Sequence, residues 1–303
     1  MQVKRVSSFM FRWTAPETQA ALDNPDAEER KRILRKAVSE YVLKRRNEDG
    51  GFTFCQFVDS NAQDTYYALE ILALLGDELP DPQKTARWLR GFRVGDLHAC
   101  YYVSKALTLC GEDPDEGIED LVLSLRRPDG SFGTIDVDIE ATSEFESTFM
   151  ATELLGLLDA REGAKATTNW LLGHKNGDGG FGSRGLSNLR STFHAVFSLL
   201  NLGYDIRTLE ETAGYVLSCE KPSGGFSVVP SSSIAYMEDT YYGVLLLDAM
   251  GEKCGYPERT LRHVFKCYNS NGGFRRSVEL GISTFEDTYF ALSVLRKLGW
   301  LGG

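Results

Sequence analysis

Apolar positions along this chain come in two textures. Segments such as RKRILRKAVSEYVLKRR, GIEDLVLSLRR, KATTNWLLGH, LEETAGYVLSC and RTLRHVFKCY place apolar residues on one helical face and charges on the other, the pattern of a helix with one wet side. Between them lie segments that are apolar nearly all round. One phrase recurs there: QDTYYALEILALLG at 63–76, EDTYYGVLLLDAMG at 238–251 and EDTYFALSVLRKLG at 286–299. Looser copies are HACYYVSKALTLCG at 98–111, ESTFMATELLGLLD at 146–159 and RSTFHAVFSLLNLG at 190–203. Anchored on the threonine slot, the copies fall at Thr65, Cys100, Thr148, Thr192, Thr240 and Thr288. Such self-similarity is the mark of a repeat architecture.

A turn phrase precedes most copies: Gly50-Gly51-Phe52, Gly130-Ser131-Phe132, Gly179-Gly180-Phe181, Gly224-Gly225-Phe226 and Gly272-Gly273-Phe274, with only Gly91-Phe92 in the second unit. Glycine there stops the amphipathic helix. The unit therefore reads as amphipathic helix, turn, loop, apolar helix. A helix apolar on every side must be buried on every side, so six pairs predict two concentric layers: inner helices near 62–76, 97–111, 144–158, 188–203, 236–251 and 284–299, wrapped by six outer ones. The expected fold is all-α, an α/α toroid of six repeats around a central cavity. An open solenoid would need polar capping repeats, whereas the last helix, FALSVLRKLGWLGG, ends apolar. Residues 1–27 read as an N-terminal extension and 28–303 as one toroid domain.

Composition narrows the partners. With 33 Lys+Arg against 43 Asp+Glu the net charge is -10, which repels phosphate backbones and anionic bilayers; nucleic acid is excluded as a partner. The cysteines Cys55, Cys100, Cys110, Cys219, Cys254 and Cys267 form no CxxC pair or tight framework, so reduced thiols are expected. No stretch has the length of a membrane span or the apolar core of a signal peptide. A soluble cytoplasmic protein is the expectation.

The repeats, with Gly-Gly-Phe turns leading into apolar inner helices over about residues 30–299, resemble the β subunits of protein prenyltransferases and, more distantly, the terpene-cyclase and squalene-cyclase toroids. The resemblance implies an isoprenoid or isoprenoid diphosphate in the central cavity, transferred or cyclised there, and a helical α-type subunit as partner. In such β subunits an Asp and a Cys in a D-x-C pattern at the fifth inner helix, with a His at the sixth, hold zinc. Here those positions read Glu238-Asp239-Thr240 and then Glu286 or Asp287, and the basic residues of the diphosphate grip fall near Ser232 and Ala235. Tyr241 matches a family tyrosine beside the diphosphate, and His98 lines up with a family histidine at the second inner helix.

Candidate chemistry collects at the inner-helix starts, where unpaired N–H groups and positive dipole ends converge. Two residues before the slot stand Gln63, His98, Glu146, Arg190, Glu238 and Glu286. Arg190 is the diphosphate candidate. Glu238, Glu286 and Asp287 form one metal corner, suited to magnesium or zinc, and His98, Cys100 and Glu146 an alternative zinc set. If the reaction is a cyclisation, Glu146 or Glu286 is the acid, since Glu144-Phe145-Glu146-Ser147-Thr148 and Phe285-Glu286-Asp287-Thr288 stand nearest to the DxDD acid motif of the cyclases. Asp136-x-Asp138 is a weaker magnesium pair. A competing structural role exists for this ring, because Ser60-x-x-Gln63, Ser143-x-x-Glu146 and Ser283-x-x-Glu286 are capping boxes.

Just past the slot, Tyr66-Tyr67, Tyr101-Tyr102, Phe149, Phe193-His194, Tyr241-Tyr242 and Tyr289-Phe290 supply aromatic walls suited to isoprenoids and carbocations. One residue of each pair is expected to point inward, with Tyr66, Tyr102, Tyr241 and Tyr289 as substrate contacts and His194 hydrogen-bonded. Two other readings stay open: a non-catalytic toroid that binds a lipid or a helical protein, and a carbohydrate-active α/α toroid using paired carboxylates.

Overall fold

The computed structural model describes residues 27–92, 94–133, 143–160 and 163–302. The Asp136-x-Asp138 pair and the N-terminal extension up to residue 26 lie outside the described residues. Among the described residues twelve α-helices follow one another: α1 Ala27–Leu43, α2 Ala62–Leu75, α3 Pro82–Arg90, α4 Leu97–Leu109, α5 Ile118–Ser124, α6 Glu144–Leu157, α7 Ala164–Leu172, α8 Leu189–Asn201, α9 Glu210–Cys219, α10 Met237–Met250, α11 Pro257–Lys266 and α12 Phe285–Lys297. The even-numbered helices form the inner ring. Each packs on the next, and α12 packs on α2, so the ring is closed. Among the described residues no helix is long and apolar enough to cross a membrane.

The threonine slot has a structural task. Thr65, Thr148, Thr192, Thr240 and Thr288 are each fully buried, and each hydroxyl accepts the backbone N–H of the phenylalanine in its own turn: Phe52, Phe132, Phe181, Phe226 and Phe274, at 2.9 to 3.2 Å. A buried N–H without a partner is costly, and this bond supplies one. Thr192, Thr240 and Thr288 also donate to the carbonyl one turn back, at Asn188, Tyr236 and Thr284. Thr240 is thereby committed to the turn and is not a metal ligand.

The first glycine of each turn is required by its neighbour. Gly130, Gly179 and Gly224 sit at φ +96°, +87° and +98°, and a Cβ there would come within 2.5, 2.4 and 2.1 Å of the backbone of α7, α9 and α11. Gly272 does the same at the seam, where a Cβ would lie 2.3 Å from the Ala37 carbonyl oxygen of α1. Each turn thus nests on the next outer helix, and the last on the first. Tyr41 of α1 closes the seam by donating to the Ser283 carbonyl at 3.0 Å.

Candidate active site in the barrel

Capping decides which side chains are free to face the barrel. Two of the three expected boxes are displaced by one residue. α2 is capped by Asn61, which accepts from the Asp64 amide and donates to its carboxylate at 2.7 Å. α12 is capped by Thr284, which accepts from the Asp287 amide and donates to its carboxylate at 2.8 Å. Ser143 caps α6 through the Glu146 amide as expected. In α2 and α12 the carboxylate that returns to the cap is therefore Asp64 or Asp287. Gln63 and Glu286, one position earlier, are released from capping.

Glu286 accepts from the Tyr67 hydroxyl at 3.0 Å and lines the central cavity. Burial pushes its carboxyl up to about 7, with Tyr67 pulling the other way and the neighbouring carboxylates adding to the rise. Asp239 is also raised to about 7 by burial and by the Glu238 charge, and its Oδ2 has no hydrogen-bond partner. Asp287 rises to about 6, chiefly through burial, but its carboxylate is held by Thr284 and it is a capping group. Burial also raises Glu146.

Glu238 is enclosed by cations. It accepts from Arg190 at 2.9 Å and from Arg276 at 2.8 Å, and Arg276 lies 4.4 Å over the Tyr236 ring. Both guanidinium groups are thus tied to a carboxylate. His98 stacks edge-on against Tyr102 at 4.6 Å and burial lowers its basicity. Cys100 fills the threonine slot, fully buried, and burial pushes its thiol up to about 11, so it is a core thiol and not a thiolate.

Neither expected metal set assembles. Among the described residues no three His, Cys, Asp or Glu side chains converge as metal donors: Glu238 faces two arginines, Asp287 its own cap, and Cys100 the core. The zinc of the resembled family does not fit this donor set.

The aromatic wall differs from the expectation in one respect: both members of every pair line the cavity. The inward stripe begins at the ring residue and continues three, four and seven positions later, all of which share a helical face. Ring centroids run in a continuous circuit, Tyr67–Tyr102, Tyr102–Tyr101, Tyr101–Phe149, Phe149–Phe193, Phe193–Tyr241, Tyr241–Tyr289 and back to Tyr67, with steps of 5.1 to 6.4 Å. His194 lies in this belt, stacked on Phe149 at 5.2 Å, and contrary to expectation its Nδ1 has no hydrogen-bond partner.

Sequence reasoning missed the layer seven positions along the stripe. Glu70, Lys105 and Glu153 line the deeper cavity, where Glu153 accepts from Lys105 at 2.9 Å and from the Tyr101 hydroxyl at 2.8 Å. Their register was legible, since each follows its ring residue by two helical turns. The space left is about 200 Å³, under the roughly 300–1,000 Å³ of ordinary ligand pockets.

No curated protein matches the sequence. Solved structures share its fold. Candida albicans protein geranylgeranyltransferase-I complexed with GGPP is 15% identical over 88% of this chain and 91% of that one, at a TM-score of 0.72. A type II terpene cyclase from Scytonema, in complex with geranylgeranyl dihydroxybenzoate, is 13% identical over 89% and 97%, at 0.60. A possible member of the GH105 family from Salmonella enterica is 12% identical over 98% of each chain, at 0.59. The model of the prenyltransferase alpha-alpha toroid domain matches residues 9–95, 92–253 and 234–300, so with its closed inner ring and aromatic barrel this chain belongs to the prenyltransferase alpha-alpha toroid family.

Proposed function

We propose that this protein is an enzyme that binds an isoprenoid in its aromatic barrel and starts the reaction by protonating an alkene from Glu286, which makes it a cyclase-type toroid and not a metal-dependent transferase. The observation that carries the reading is a carboxyl freed from capping and set on the wall of an aromatic cage, where burial raises it above the ordinary carboxylate range. The Tyr67 hydroxyl occupies Oε1, leaving Oε2 to carry that proton. Protonation of an alkene creates a carbocation and leaves Glu286 as a carboxylate, and the negative faces of the surrounding rings stabilise the cation as it moves away from that charge. Because the free space is about 200 Å³, entry of a polyisoprenoid requires the tyrosine side chains to swing aside. The isoprenoid complexes of two neighbours in fold support the substrate class.

The test is turnover of geranylgeraniol and geranylgeranyl diphosphate. Glu286→Gln keeps the shape and removes the acid, so conversion should fall by at least about a hundredfold, the usual scale of a general acid, with an unchanged circular dichroism spectrum. Unchanged conversion would sink the assignment. A second reading, a non-catalytic toroid that holds a lipid or a helical partner, is favoured by one observation: Arg190 and Arg276 are both engaged by Glu238. Tight prenyl binding without turnover in any variant would select it.

A further inference from the structure

A reaction begun by protonation must end by losing a proton, and the acid that has just given one is poorly placed to take another from the far end of the cation. The barrel holds a second group for the purpose. His194 stands on α8, two inner helices from the Glu286 of α12. Its counterparts in the stripe are Tyr67, Tyr102, Met150, Tyr242 and Phe290, so this is the one unit that places a nitrogen base in that layer. The imidazole is 4% exposed. It is clasped by Phe149, Phe193 and Tyr242 at 5.2, 5.7 and 5.7 Å, it borders the cavity, and its Nδ1 finds no partner.

An unpaired polar atom in such a place is costly, and a catalytic role is one of the reasons that native structures keep one. Burial and the Arg190 charge lower its basicity to about 3, so the ring is neutral with a lone pair available. Weak basicity is no obstacle, because the C–H bonds next to a tertiary carbocation are far more acidic than an imidazolium. Burial moves the two groups in opposite senses, an acid that keeps its proton and a base that stays free of one, which is the pairing that divides acid and base roles.

Resting on the protonation reading above, we infer that His194 is the proton acceptor that ends the reaction. Glu286 gives its proton to one alkene carbon. After the double bonds have closed on the cation, an imidazole nitrogen of His194 takes the proton from a carbon beside the final cationic centre, and that C–H electron pair becomes the new double bond. The product is an isomer of the substrate. The imidazolium then releases its proton to solvent and Glu286 regains one, so atoms and charge balance over the cycle.

The test separates the two claims by following consumption and product identity together. Full-length wild type, His194→Phe and His194→Gln are incubated with geranylgeraniol and geranylgeranyl diphosphate, and products are resolved by gas chromatography and mass spectrometry after phosphatase treatment. The phenylalanine variant copies Phe290, the residue of the α12 unit at this position, and is expected to fold. The glutamine variant restores polarity without a proton-accepting nitrogen. Both are expected to consume substrate within about tenfold of wild type, while the single cyclic alkene falls at least tenfold as a share of product, replaced by water-quenched alcohols and alkene mixtures. The same alkene in the same share would overturn the assignment of His194 while leaving Glu286 as the acid. No consumption by wild type would overturn the protonation reading and the base assignment with it.

Discussion

One residue position separates a capping group from a candidate acid in this barrel. Asp287 returns to Thr284, so Glu286 turns inward to Tyr67. The same displacement at α2 makes Asp64 the capping group and frees Gln63. The displacement was hidden in the sequence because Ser283 and Thr284 are both competent caps, and only backbone geometry chooses between them. The buried carboxyls predict a pH response. Glu286, Asp239 and Asp287 all have folded-state values raised above ordinary carboxylates, so they hold protons more tightly when folded, and the folded state is favoured at low pH. That advantage is lost as pH rises through about 6 to 7. These carboxyls alone would lower the melting temperature between pH 5 and pH 8, while His194 and His263, whose basicity burial lowers to about 3 and about 4, act in the opposite sense; Glu286→Gln should therefore lose at least about 2 °C less than wild type over that range. A Glu286→Gln melting temperature that tracks the wild type across this range would contradict the placement of Glu286. Arg190, the diphosphate candidate of the sequence, pairs with Glu238, a contact that depends on how α8 and α10 are set side by side.

Five of the six helix pairs depend on a bond that no single helix contains. The threonine of the inner helix satisfies the turn phenylalanine's amide, and the turn glycine lets the next outer helix approach in contact. This is why the phrase recurs so faithfully, and why the element boundaries were readable: the inner helices begin within a residue of their expected starts. The second unit tests the logic, because it lacks both the glycine pair and the threonine, with Cys100 in the slot. Thr192→Val keeps the shape but strands the Phe181 amide and should destabilise the fold by about 1–3 kcal/mol, readable as a shift of the urea midpoint with an unchanged slope. A midpoint within error of wild type would show the bond to be dispensable. The inner stripe was only half legible. The aromatic pairs were evident as chemistry, but which side chains point inward depends on the helix rotation, and that same rotation brings Glu70, Lys105 and Glu153 into the cavity.

A closed ring has no end repeats to cap, and closure turns six weakly polar helix faces into one enclosed chamber. The apolar last helix foreshadowed this, and the packing of α12 on α2, with Gly272 against α1, completes it. Enclosure has an electrostatic consequence, since it strips water from the carboxyls and the imidazole and shifts them in opposite directions. It also accounts for the lost metal site: the donors of the resembled family are replaced here by groups committed to caps, to cations or to the core. The central claim is that chemistry in this chamber begins with a proton from Glu286. It is tested most directly by running the reaction on geranylgeraniol and geranylgeranyl diphosphate in deuterium oxide and weighing the product. Protonation predicts a cyclic product one mass unit heavier in wild type and none from Glu286→Gln. A product free of deuterium, or one still labelled in the Glu286→Gln variant, would contradict it.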